Sequence, residues 1–479
     1  MPIPSTIADL STTAGSNSPQ GSEPPTEGDN SAFTKVGEPK TFKVAGQITF
    51  AADGLNVDGR GMVIDASAGG TFTDSAIVYC LGSLTSIPDI SVSPSAGAVA
   101  LTFGSAHGLT NNDVGVIYNP TNSSFNAART YYRAGEYFRV NRAPSTTTLQ
   151  LWSPLYAGYT TTDVDIYKLT ANRVTLSNMT VIAPSSGSIR PIRIRLASRV
   201  RMTDVRAYGS DYAGIELDRC FDVEIRGSEL FEQPTSYSDE YGLSIGNCQD
   251  VRVIGGAYQA GRHAISIGGD DFTGSVPNRN IRIIGATLKN DQASSAPAAD
   301  IHGNCQDVEY HDCSIYGGGA FGGMDNAYLN CRFYDAPSGL GALIAGGSEC
   351  MGGVYRVEGC YLKSSPAFSV GQILGANGAS ASVADSHLIV KNCTVDLGSC
   401  DTFVRFNMGS SSFKANAHVE NITFTGSGSL SNVCRMVGTG AAGDGDYVIV
   451  DNISNAKAGA SLYVSASGYG SAVKLRLMK

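Results

Sequence analysis

Apolar and polar residues alternate over short runs of four or five in this chain, and the runs return roughly every 27 residues from Val174 onward. Written under one another, they begin at Val174, Val200, Val223, Val251, Ile281, Val308, Leu329, Tyr355, Leu388, Val419 and Val448. Apolar pairs occupy the first and third places, as in Val223 and Ile225, Val251 and Val253, and Leu388 and Val390; Asn421 is the polar exception. Alternation of this kind is strand chemistry, because successive side chains point to opposite faces. At the fifth place stand Asn178, Asp204, Gly227, Gly255, Gly285, Asp312, Gly359 and Asn392, residue types that tolerate left-handed backbone angles and so mark corners. A strand that turns a corner, recurs at the length of one coil and contains no run at helical spacing predicts a solenoid. The expected fold is all-β: a right-handed single-stranded parallel β-helix with a small inserted β-domain and an extended N-terminal anchor.

Four segments follow from the same pattern. Residues 1–35, rich in Ser, Thr, Pro and Gly, cannot bury enough apolar surface to fold alone and read as a tail or an attachment peptide. Residues 36–87 read as the first coil and 171–479 as the main β-helix. Between them, residues 88–170 break the period and carry two aromatic runs, Tyr131, Tyr132, Tyr137, Phe138 and Trp152, Tyr156, Tyr159, Tyr167. This segment is expected to form a separate β-domain, whose plainest role is to cap the first coil.

Composition narrows the function classes. The chain has 57 Gly, one Trp and 16% charged residues, as expected of strands and turns. A net charge of −9 argues against nucleic acid or an anionic membrane as partner. No apolar stretch is long enough for a transmembrane helix, and the N-terminus has no secretory signal pattern. The 11 cysteines are odd in number and lack metal-finger spacing, so they are expected to be reduced, buried in columns as small hydrophobes. No metal and no cofactor is expected. The arginines Arg190, Arg193, Arg195, Arg199 and Arg201 are spaced like a solvated strand face, with an acidic-glycan contact as the alternative.

A solenoid aligns equivalent residues of successive coils, so a functional site would be a polar column on an outer face. The lines GIELDRC, GLSIGNC, AISIGGDD, ADIHGNC and GMDNAY give outward residues Glu216, Asp218, Ser244, Ser266, Asp300, His302 and Asp325, with the fourth line slipped by one residue. Asp270 and Asp271 follow on a Gly-Gly turn. With Asp300 one coil later, they could place two carboxyl groups about 5 Å apart, or 6.5 to 9.5 Å, around a glycosidic bond. His302 completes the expected catalytic set. Glu216, Tyr258, Arg262, His263, Arg279 and Asp325 are expected to bind substrate, Tyr258 by stacking on a sugar ring. Purely structural corner carboxylates are the competing reading, because Asp commonly bonds its own backbone at turns.

The opening IADLSTTAGSNSPQGSEPPTEGDN and the run RHAISIGGDD, PNR and ADIHGNCQD resemble stretches of bacteriophage tailspike and tail-fibre proteins of the pectate-lyase-like, right-handed parallel β-helix type. The resemblance implies a virion tail protein assembled in the bacterial host cytoplasm. It further implies a homotrimer, held to a tail or adaptor protein by its N-terminal peptide, that recognises host surface polysaccharide. Many such proteins depolymerise that glycan; carried over, their paired aspartates match Asp270 and Asp271, with Asp300 as a third acid. A lyase using Arg279 and His302, a non-enzymatic adhesin and a structural tail component remain alternatives. After Val448 only one more strand is expected and no separate C-terminal trimerisation or glycan-binding domain, a departure from the pattern of many relatives.

Overall fold

The computed structural model describes residues 40–478 apart from 52, 211, 232–239, 291–295, 335–343, 364–369, 375–384, 399, 409–414, 439–446, 456–459 and 466–473. The expected attachment peptide 1–35 therefore lies outside the described residues. The chain divides into two compact units, residues 1–120 with 135–261 and residues 121–134 with 262–479. In both units the strands wind as a right-handed parallel β-helix, the handedness that twisted strands impose on parallel crossovers.

In the first unit Leu55–Asp65, Val174–Ile182, Ser198–Tyr208, Phe221–Arg226 and Gln249–Ile254 form one parallel ladder. A second ladder joins Ala76–Leu81, Arg190–Arg195, Ala213–Asp218 and Tyr241–Gly246. The predicted apolar column is in place: Val174 faces Val200, Val200 faces Val223 and Val223 faces Val251, all buried. In the second unit Asn278–Ile284, Cys305–His311, Ala327–Leu329, Ile344–Glu358, Ser386–Lys391, Ala415–Thr425 and Tyr447–Ser454 stack likewise.

The register corrects two of the eleven strand starts. Tyr310 faces Tyr328 and Tyr328 faces Val357, so the residue level with Val308 and Tyr355 is Asn326, not Leu329. Asn326 is fully buried, and its Oδ1 accepts the Val308 N–H at 2.8 Å while its amide donates to the Gly322 carbonyl. A buried amide that satisfies two backbone groups replaces the apolar residue there, and pattern reading passes over it. Likewise Leu388 faces Ala417 and Val390 faces Val419, so that strand starts at Ala417, and the polar exception at Asn421 disappears.

With these starts the fifth place becomes an unbroken left-handed column. Asn178, Asp204, Gly227, Gly255, Gly285, Asp312, Asn330, Gly359, Asn392, Asn421 and Asn452 all have φ between 47° and 67°. Asn421 donates to Asn392 Oδ1 at 2.9 Å, and Asn452 donates to Asn421, so corner amides also bond from coil to coil. A second left-handed column precedes the strands at Arg199, Asp222, Asp250, Asn280, Asp307 and Asp325. Short polar side chains reduce the cost of this backbone by bonding locally.

The ten cysteines Cys80, Cys220, Cys248, Cys305, Cys313, Cys331, Cys350, Cys360, Cys393 and Cys434 are free and buried. Cys331, Cys360 and Cys393 donate to the carbonyls of Tyr310, Tyr328 and Val357 in earlier strands at 3.3 to 3.5 Å, which gives small thiols a weak polar role within the core. Gly323 sits at φ +64°, where an added Cβ would lie 1.8 Å from the Cys305 carbonyl oxygen. Gly323→Ala is expected to destabilise the protein by at least ~2 kcal/mol through backbone strain and overpacking. Thermal unfolding of the purified variant measures this; an unchanged midpoint refutes the close approach.

An antiparallel sheet in the order Leu84–Ile87, Asp165–Leu169, Val114–Tyr118, Gly135–Ser145, Thr148–Leu151, Ala100–Thr102 covers the segment expected at 88–170 and begins one strand earlier, at Leu84. Leu101, Ile117, Phe138, Val140, Leu149 and Ile166 fill its core. It packs on coils of the first unit at Arg199, Phe221 and Gln249. Tyr137 stacks on Phe221 at 5.6 Å, its N–H donates to Gln249 Oε1 at 2.9 Å, and Arg199 reaches the Asn112 carbonyl at 3.0 Å.

Candidate functional site

The expected slip of one residue is observed: Ile265 faces Ala299, Ser266 faces Asp300 and Ile267 faces Ile301. Inward Ile265 and Ile267 anchor this strand in the core, so Ser266 and Asp300 point outward together. Asp300 is nevertheless buried, because two histidines cover it. His302 Nε2 lies 2.9 Å from Asp300 Oδ2, His263 Nε2 lies 3.4 Å from the same oxygen, and the Ser266 hydroxyl donates to it at 3.4 Å. His263 Nδ1–H donates to the Pro297 carbonyl at 2.6 Å, which fixes its ring.

Glu349, which sequence reading passed over, closes the cluster. Its carboxylate takes His302 Nδ1 at 3.5 Å, the Tyr132 hydroxyl at 2.7 Å, the Gly303 N–H at 2.7 Å and Arg129 Nε at 2.6 Å. Tyr132 and Arg129 belong to the loop 121–134, which is part of the second unit. Asn126 of this loop donates to the carbonyls of Gly303 and Glu349 at 2.8 and 3.0 Å. Only glycine fits at 303, since a Cβ there would lie 2.7 Å from both Asn126 and Glu349. The loop was legible only as an aromatic run, and the lone acid in GGSECMGG carried no pattern that ties it to a histidine 47 positions away.

The charges follow from these contacts. Asp300 raises the His302 imidazolium to about 10, with burial opposing and Glu349 adding to the effect, so both ring nitrogens carry protons and donate to a carboxylate on either side. Burial alone would raise Glu349, but His302, Tyr132 and the Gly303 N–H together bring it down to about 2. Burial also works against ionised Asp300, yet His263, His302 and Arg262 hold it well below the usual carboxylate range. For His263 burial prevails and pushes the ring downward. Neither Asp300 nor Glu349 therefore stores a proton at neutral pH; His302 does.

The other expected residues divide. Asp270 and Asp271 are exposed on the corner that follows Gly268, and a Cβ at Gly268 would lie 2.9 Å from His302 Cδ2, so this corner runs beside the imidazolium. Arg133 of the loop 121–134 holds Asp271 at 2.5 Å. Arg262 is half-buried and favours the Asp300 charge. Four residues do not fit the expectation. Tyr258 is 1% exposed and part of the core, so its ring cannot stack on a sugar. Arg279 is buried against Gln306 at 3.1 Å. Asp325 is a left-handed corner whose Oδ1 accepts the Val354 N–H at 2.9 Å. Glu216 lies buried in the first unit, paired with Arg190 and with Arg193 at 2.8 Å.

That pairing also corrects the arginine face. Arg193 faces Glu216 and Arg195 faces Asp218 across the ladder, and Tyr79 and Tyr212 cover the guanidiniums, so Arg190, Arg193 and Arg195 are only 12 to 16% exposed. Among the described residues no group of three or more His, Cys, Asp or Glu is placed to hold a metal ion, and no helix is long and apolar enough to cross a membrane.

Comparison with known proteins agrees with the fold. The Gp49 pectin lyase-like family model matches residues 208–460, and the model of a tailspike protein-like, Ig-like domain matches residues 79–169. The tailspike protein gp49 of Pseudomonas phage LKA1 is 28% identical with a TM-score of 0.82, over 94% of this chain and 78% of that one. The tailspike gp61 of Pseudomonas phage phi297 is 26% identical, TM-score 0.75, over 92% and 71%. The Gp54 tailspike of Acinetobacter baumannii bacteriophage AP22, solved with A. baumannii capsular saccharide, shares the fold at 24% identity and TM-score 0.75, over 92% and 73%. No curated protein matches the chain.

Proposed function

The chain belongs to the Gp49 pectin lyase-like family, and on that footing we propose that it is a bacteriophage tailspike that recognises host surface polysaccharide through the His302 rim of the second unit. The observation that carries this reading is the imidazolium of His302, a quarter exposed, held between ionised Asp300 and Glu349 and packed against Gly268, which leads into the exposed Asp270 and Asp271. The exposed carboxylates offer a glycan acceptors, and the imidazolium, its two N–H groups held by Asp300 and Glu349, supplies a fixed positive charge that does not titrate across neutral pH. In this reading the protein acts in the virion tail as a homotrimer assembled in the host cytoplasm. Its peptide 1–35 docks on the tail or an adaptor.

Depolymerisation is a second reading, favoured by the proton on His302. To protonate a leaving glycosidic oxygen, that imidazolium exchanges its bond to Asp300 or Glu349 for one to the substrate, while Asp270 or Asp271 on the corner after Gly268 activates a water. Purified host capsule or O-antigen is the test substrate. Cleavage predicts release of reducing ends by the parent protein, with Asp270→Asn/Asp271→Asn and His302→Gln each at least about a hundredfold slower. An ultraviolet-absorbing unsaturated product would instead identify β-elimination. Saturable binding with no released ends identifies an adhesin, and absence of binding rejects glycan recognition at this rim.

A further inference from the structure

In the first unit Arg139 and Arg173 both stand within Coulomb range of Arg199, and none of the three forms a salt bridge with a carboxylate among the described residues. Arg139 comes from the strand Gly135–Ser145, and Arg173 and Arg199 each directly precede a β-helix strand start. Arg139 donates to Asn112 Oδ1 at 2.9 Å and Arg199 donates to the Asn112 carbonyl at 3.0 Å, so one neutral residue gathers two guanidiniums. The buried Nε of Arg139 and of Arg199 has no acceptor among the described residues. Burial, then Arg139, Arg173 and Arg201, push the Arg199 pKa down, with Asp222 opposing. Only Arg201 is neutralised, by Asp222 at 2.7 Å.

The same place carries the chain's one tryptophan. The Arg139 guanidinium lies over the Trp152 ring at 5.8 Å, and the Trp152 N–H donates to the Arg139 carbonyl at 3.0 Å. Trp152 is 58% exposed, although a large apolar ring normally seeks cover. Its indole is thus backed by a cation on one side and open to solvent. In a chain of net charge −9, grouped arginines that form no salt bridge and an exposed, propped indole both oppose stability. Both are explained by a ligand with an apolar ring face and a negative charge.

We propose that Trp152, Arg139 and Arg199 form a binding site for an anionic sugar residue, its ring face on the indole and its carboxylate on the paired guanidiniums. The site lies in the first unit and involves none of the residues of the His302 rim. Nucleic acid has the same two features but would call for a longer basic track and several stacking rings.

Because Trp152 is the single tryptophan, its fluorescence in the full-length protein reads this site and no other. Titration with glucuronate, galacturonate and N-acetylneuraminate is expected to give a saturable, salt-sensitive change with at least one of them, and none with glucose. Arg139→Gln and Arg199→Gln should each weaken it by about tenfold. Arg139→Lys, which keeps the charge and loses the fork, should fall between. The proposal is overturned if no acidic sugar changes the emission saturably, if glucose acts equally, if the arginine variants respond like the parent, or if an oligothymidylate binds more tightly than the sugars. A dead His302 rim would leave this readout intact, so the two readings fail separately.

Discussion

Glu349→Gln should be the most damaging single substitution on the His302 rim. The glutamate receives four donors and compensates the His302 and Arg129 charges. The amide is the same size but neutral, and its NH2 group must face at least one of those donors. Removing one partner of a buried ion network typically costs about 3 to 5 kcal/mol, because the remaining charges lose their compensation. The expected result is a matching loss in denaturant unfolding, with amide protection falling first in residues 121–134 and around Gly303. The Arg129→Ala variant serves as a scale: Arg129 is about two-fifths exposed, so its loss should cost no more than about 1 kcal/mol. Equal stability of Glu349→Gln and the parent would mean that the loop is seated by something other than this carboxylate.

Stability should also depend on pH on both sides of a maximum. His302 is raised from 6.5 to about 10, so the native state binds its proton more tightly than the unfolded state. Its contribution is complete below pH 6.5 and is lost as pH climbs through about 10. Glu349 is lowered from 4.5 to about 2 and Asp300 is lowered from 3.8, so their contributions are complete above those ordinary values and are lost as pH falls through the native ones. His263 is lowered from 6.5, so the unfolded state takes up its proton more readily and the cluster also loses stability as pH falls below about 6.5, which places its maximum near pH 6.5. Unfolding midpoints measured from pH 3 to about 10 trace the curve. In His302→Gln the alkaline decline should flatten and the acid limb should begin at higher pH, since both carboxylates lose a donor. An alkaline limb of unchanged slope in that variant would rule out the doubly paired imidazolium.

The unequal behaviour of the expected site residues has one physical source. Asp300 and His302 are two residues apart at the end of one strand, so alternation puts them on the same face, and the stacking of coils brings Ser266 to Asp300. Tyr258 and Arg279 were chosen for residue type near that place, yet ladder parity turns Tyr258 into the core and seals Arg279 against Gln306. Asp325 illustrates the competing role of acids at corners: its φ of 57° places it in a structural column with Asp222, Asp250 and Asp307. Alternation alone gives Glu216 and Asp218 as a free outward column, but coil stacking sets Arg193 and Arg195 directly across from them.

Local chemistry determined the coil. Alternation specifies strands, left-handed Asn, Asp and Gly specify corners, and their joint recurrence leaves a parallel β-helix as the arrangement that buries every apolar pair, so the architecture was legible without coordinates. Local chemistry also placed Asp300 one coil beyond Ser266, slipped register included. The tertiary structure alone decided which polar residues meet across long separations. Glu349 and the loop 121–134 are more than 200 positions apart, and the contacts between them obey no period that a repeat could reveal. A repeating pattern encodes only interactions between equivalent places of neighbouring coils; a loop that leaves the repeat and returns to it is positioned by shape and charge in three dimensions.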